Sequence, residues 1–168
     1  MNERYPPRWA LCDCPSQMSE WESVTAFAVR HRVSLLLHAG RGLNPFVLLQ
    51  RSIPEIPELG LWVHLRDKTM PALESDLRTA VLLGVKTIFV GDPLPLAAVT
   101  NDSSPAGTMH VPAFLARAVQ ITGSSVRYGT VCRGSHPADV RLLQQLIAAG
   151  CAIVALPPQA WEPSARQG

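Results

Sequence analysis

Apolar and polar positions along this chain fall into two alternating rhythms. Short, nearly continuous apolar runs occur at 8–14, 33–38, 61–65, 86–90, 125–132 and 151–156, and runs of that length bounded by turn residues read as buried strands. Between them the spacing changes to three and four. Trp21, Val24, Phe27 and Ala28 share one face of a helix predicted over 20–31 with Ser19 as its cap. Leu73, Leu77, Ala80 and Val81 place another before Gly84, and 111–119 and 137–149 carry two more. A turn or two of helix is expected over 45–52, while Pro54, Pro57 and Gly60 read as breaking the chain before the third strand. The stretch 93–110, rich in Pro, Ser, Asn and Asp without periodicity, reads as a mobile loop, and 160–168 as a polar tail.

Strands that alternate with helices imply a parallel sheet, because each helix carries the chain back to the same end. No G-x-G-x-x-G follows the first strand and no G-x-x-x-x-G-K occurs, which removes the usual signatures of an open nucleotide-binding sheet. A complete eight-unit barrel runs to about 250 residues. The expected fold is therefore α/β, an incomplete (β/α)8 TIM-type barrel with about six parallel strands, in a single domain over 1–168.

Composition narrows the partners. At 168 residues with 47% hydrophobic content the chain buries one sizeable core. No apolar run is long enough to span a bilayer, and the start MNERYPPRW lacks a signal-peptide pattern, so a cytoplasmic protein with no membrane association is expected. Fifteen basic and thirteen acidic residues are scattered, a distribution that points to small molecules or proteins and to no nucleic acid. Cys12, Cys14, Cys132 and Cys151 lack C-x-x-C spacing and read as reduced thiols, with no metal site expected.

The stretch Val63–Pro93, VHLRDKTMPALESDLRTAVLLGVKTIFVGDP, holds Arg66, Asp67, Ala72, Leu73, Ser75, Asp76, Leu77, Gly84, Gly91, Asp92 and Pro93 in one register. In these residues it resembles the third-to-fourth strand region of the methylenetetrahydrofolate reductase family, and a weaker likeness runs from His136 to Pro158. The resemblance implies a barrel holding FAD at the C-terminal ends of its strands. Its implied activity is oxidoreductase chemistry of one-carbon metabolism: flavin-dependent reduction of 5,10-methylenetetrahydrofolate to 5-methyltetrahydrofolate, with a nicotinamide or a protein as electron donor. Asp92 then takes the catalytic position near the flavin, and Arg66, Asp67 and His136 bind the cofactor.

Three positions depart from the family pattern. Cys12 stands where the family has a glutamate three residues before a proline, and Asp13 is one residue off, so strand alternation should turn it away from that position. Leu146 replaces a lysine that reaches the flavin diphosphate, with Arg127, Arg133 or Arg141 as substitutes. Pro157-Pro158-Gln159 stands where a Thr-Gln is expected, and the family's last two strands have no counterpart. These departures frame the alternative, a catalytically degenerate barrel serving as a subunit or regulator of a folate or methyl-transfer assembly. Open strand edges would then be closed by homo- or hetero-oligomerisation. Ser75 and Asp76 read as a solvated helix face. His38 ends the second strand where a site histidine can sit, His64 reads as a packing residue, and Tyr128 as either a stacking or a core residue.

Overall fold

The computed structural model describes residues 8–38, 42–51, 54–65, 68–91, 111–131 and 137–155. It contains β1 (Trp9–Asp13), α1 (Met18–His31), β2 (Ser34–His38), α2 (Pro45–Gln50), β3 (Leu59–Val63) and α3 (Met70–Leu82). There follow β4 (Thr87–Val90), α4 (Val111–Thr122), β5 (Arg127–Val131), α5 (Pro137–Ala148) and β6 (Cys151–Ala155). The six strands form one sheet in the order β1-β2-β3-β4-β5-β6, and every pairing is parallel. The alternating architecture and the strand count thus agree with the sequence pattern. No helix among the described residues is long and apolar enough to cross a membrane.

Local chemistry explains most element boundaries. Helix α1 starts earlier than Ser19: the Glu20 carboxylate accepts from the backbone N–H of Ser16 at 2.8 Å and of Gln17 at 3.3 Å, which satisfies donors that a helix start leaves open. Ser19 lies inside the helix, where its carbonyl accepts from the Ser23 hydroxyl. Asn44 caps α2 by accepting from Phe46 N–H at 2.9 Å, and Pro45 follows where its missing donor costs nothing. At the end of α3, Gly84 takes φ +78°, the left-handed turn that a side chain resists.

The main core lies between the sheet and the helices. Leu35, Leu37, Leu61, Val63, Ile88 and Val90 alternate onto one sheet face and join residues from all five helices in one buried cluster. All helices therefore cover the same face. Trp21, Leu77, Phe114 and Leu146 are each at most 2% exposed within it. Burying a large apolar side chain contributes about 1.5–3 kcal/mol, so this layer dominates stability. Across its outside, Glu74 of α3 accepts from Arg117 of α4 at 3.0 Å and from Arg78 at 3.1 Å. Those bonds, that to Arg117 first, hold the Glu74 carboxyl below its ordinary range.

The opposite sheet face has its own smaller core of Leu36, Trp62 and Phe89, flanked by Trp9, Val131 and Ile153. Trp9 on β1 and Phe89 on β4 bring their ring centroids to 6.3 Å. Strands three places apart in a flat sheet lie about 14 Å from one another, so the sheet is curled, with this face concave. Gly60 and Gly129 make the curl sterically feasible. A Cβ on Gly60 would sit 3.0 Å from the Trp9 ring, and one on Gly129 would sit 2.8 Å from the Phe89 ring. Gly60 is thus a strand residue and no chain breaker, because the absent side chain is the space that Trp9 fills.

Substituting Gly129→Ala should cost about 1–3 kcal/mol in urea unfolding, the range for overpacking a filled interior. In a double-mutant cycle with Phe89→Leu the two effects should be non-additive by about 0.5 kcal/mol or more. Additive effects would mean that the two residues do not share that space.

Candidate functional site

The two ends of the concave face differ in chemistry. At the N-terminal end of the strands, Glu58 accepts from the Thr87 hydroxyl at 2.5 Å and from Arg127 at 2.6 Å, and Arg127 also reaches Thr87 at 3.1 Å. This closed network satisfies the polar groups that begin β4 and β5. Arg127 is consequently at the wrong end of the sheet to serve as the substitute phosphate ligand expected above. A cavity of about 240 Å³ lies at this same end, between Leu49, Ile56, Glu58, Leu59, Val85 and Lys86. Its lining mixes aliphatic side chains with the polar Glu58 and Lys86 and includes no cysteine or histidine.

At the C-terminal end three titratable side chains converge from three consecutive strands. Asp13 ends β1, His38 ends β2, and the two are register partners. His64 follows β3 two residues beyond Trp62, so alternation turns it to the same face as Trp62 and His38. Asp13 Oδ1 lies 2.6 Å from His38 Nδ1. The Nε2 atoms of His38 and His64 are in contact, with ring centroids 4.2 Å apart and planes at 69°. Below them, Trp62 donates its indole N–H to Gly91 O at 2.9 Å and presents its ring to His38 at 6.4 Å. The aromatic core is the floor on which the histidines stand.

A carboxylate against Nδ1 selects the tautomer with the proton on that nitrogen, leaving the Nε2 lone pair outward. The pair is asymmetric in exposure: the His38 side chain is 13% accessible and that of Asp13 82%. Solvent screening therefore limits what the contact adds to folding to about 0–1 kcal/mol. What it supplies is orientation.

Asp13 was expected to point away from any site, with Cys12 taking the inward position. The two do face opposite ways, but in the other sense: Cys12 and Cys14 pack toward the helix layer, and Asp13 meets His38 on the concave side. His64, expected only to pack, is part of the cluster. The signal available for it was its even spacing from Gly60 and Trp62. Arg66, Asp67, Asp92 and His136 lie outside the described residues. Leu146 is a core residue, 2% exposed, so α5 offers no cation there. Tyr128 is also core, its hydroxyl 2.8 Å from that of Thr122, and burial pushes its pKa up. Asp76 does sit on the outer helix face, paired with Lys68 at 2.5 Å.

The described cysteines are poor nucleophiles. Cys12, Cys14 and Cys151 are free, and burial raises the pKa of each. Cys14 is pushed up to about 11, by burial first and then by Cys12 and Asp13.

No protein-family model matches the chain, and no curated protein is similar to it in sequence. Among solved structures it is similar to the glycerol uptake operon antiterminator regulatory protein from Listeria monocytogenes str. 4b F2365, at 12% identity and a TM-score of 0.49, over 94% of this chain and 85% of that one. With no family model matching, the expected membership of the methylenetetrahydrofolate reductases is corrected, together with the folate reduction, its subunit alternative and the flavoprotein assignment. The expected exclusion of nucleic acid does not stand either, since scattered charge by itself does not exclude such a partner.

Because Cys14 ionises near 11 when folded and near 9.0 when exposed, the folded state holds its proton more tightly. Its contribution to stability is complete below pH 9 and is lost as pH rises toward 11. Wild type should therefore lose on the order of 2 kcal/mol more than Cys14→Ala between pH 8.5 and 11 in urea unfolding. Parallel alkaline limbs for the two proteins would refute this.

Proposed function

We propose that the curled sheet is part of a (β/α) barrel and that its C-terminal mouth binds a small polar molecule, on which His38 acts as a general base. Support for the barrel comes from the sequential parallel order, the helices gathered on one face and the ring contact across β1 and β4. Barrel interiors are filled by side chains, and chemistry gathers at the strand C-termini. The free thiols fit work in a reducing compartment such as the cytosol.

One observation carries the chemical part: the 2.6 Å contact between Asp13 Oδ1 and His38 Nδ1. A carboxylate that fixes one imidazole nitrogen orients the other as proton acceptor. His64, in contact with that acceptor, is placed to take the proton on or return it. Asp13 is a positioning residue that sets the tautomer, while His38 handles the proton. Trp62, held by its bond to Gly91, prevents the His38 ring from sinking into the sheet.

p-Nitrophenyl acetate tests this without knowledge of the natural substrate. With EDTA present, His38→Gln should slow its hydrolysis by about tenfold, less than the roughly 10²–10⁴-fold a positioned base contributes on its own substrate. Asp13→Asn should shift the His38 imidazole ¹⁵N signals away from the Nδ1–H tautomer. His31→Gln, on the outer face of α1, is the control. Equal rates for His38→Gln and His31→Gln would sink the proposal.

A further inference from the structure

Five large apolar side chains stand exposed among the described residues, and four of them, Phe27, Val47, Leu82 and Ile147, belong to helices. Single apolar residues on outer helix faces are ordinary in a folded protein. The fifth, Leu11, is 55% exposed and comes from a strand. Its neighbours Ala10 and Cys12 pack against the helix-side core, whereas Trp9 packs with the rings of the opposite face. Strand alternation therefore places Leu11 on the concave face, between Trp9 and Asp13. Its register partner Leu36 is 4% exposed and buried with Trp62 and Phe89, but β1 is an edge strand with β2 as its one neighbour. The ring-filled interior thus ends at Leu11, whose side chain forms an open aliphatic ledge along the sheet edge.

That ledge adjoins the chemistry. Leu11 lies two residues below Asp13 on the same strand face, about 6.6 Å along β1, and Asp13 is both register partner and hydrogen-bond partner of His38. A molecule whose polar group meets His38 can therefore run past the exposed Asp13 side chain, down the open edge and onto Leu11, without entering the space that the rings fill. We infer that Leu11 selects the substrate of this mouth: a molecule that joins a short aliphatic arm to the polar group on which His38 acts, with the arm lying along Leu11. The contact removes apolar surface of both partners from water, and each methylene so buried is worth at most about fourfold in affinity. The inference rests on the general base proposed above and adds what that base would prefer.

The test compares p-nitrophenyl butyrate with p-nitrophenyl acetate on the full chain in EDTA, each kcat/KM divided by the rate constant of free imidazole on the same ester. The butyrate carries two more methylenes, so wild type should favour it by about three- to tenfold after that correction. Leu11→Ala should bring the ratio close to one, with the loss in KM for butyrate, as removal of uniform binding requires. Leu11→Met should keep the preference. Leu82→Ala, at the 87% exposed end of α3, is the control. A wild-type ratio near one overturns the inference with no variant needed. So does a preference that survives in Leu11→Ala or is lost equally in Leu82→Ala. If acetate hydrolysis depends on His38 while the ratio is flat, the role of Leu11 falls and the general base stands. If neither ester responds to His38→Gln, both fall.

Discussion

Curling of the sheet is the constraint on which the other features depend. A six-stranded parallel sheet with all its helices on one face leaves the other face bare, and bare apolar sheet is unstable in water. This chain covers that face with its own rings. Trp9 reaches across to Phe89, and Phe89 stacks at 5.9 Å on Trp62, which is possible only where Gly60 and Gly129 omit their side chains. Once rings fill the interior, no ligand can occupy its middle. Among the described residues, the polar side chains of this face lie at its two ends.

Those ends arise from one set of alternating positions. Proceeding up β3 on the concave side are Glu58, Gly60, Trp62 and His64. The first is sealed into a network with Thr87 and Arg127, and the last stands against His38. A carboxylate bonded to both a hydroxyl and a guanidinium has little capacity left for outside partners, so the N-terminal end is structural. A histidine pair, by contrast, can take up or release a proton. The polarity of a parallel sheet, with all chain directions the same, separates the two chemistries by the length of a strand.

The likeness to folate reductases over 63–93 shows how a short pattern misleads. Leu73, Leu77 and Ala80 are buried against the sheet, Asp76 pairs with Lys68 and Gly84 turns the chain. Each of these is what an amphipathic crossover helix requires in any protein of this architecture. Their register reflects packing, which many families share, while reaction chemistry depends on few residues. Asp13, His38 and His64 drew little notice in sequence because they lie 25 and 26 positions apart, beyond the reach of local spacing rules.

Alternation of apolar runs and helical periods was enough by itself to establish an α/β chain with six parallel strands, and their limits shifted by only a few residues. Hydrophobic burial acts locally along each element, so its period is written in the residues. The sequence could not show which strand face is concave, and the inward position on β1 was therefore assigned to Cys12 when Asp13 holds it. Gly60 likewise looked like punctuation until Trp9 was seen in its space. Side-chain parity assigns two faces to a strand, but only the curvature of the assembled sheet decides which face becomes concave. Curvature is set by contacts between strands distant in sequence, and there the tertiary structure alone decides.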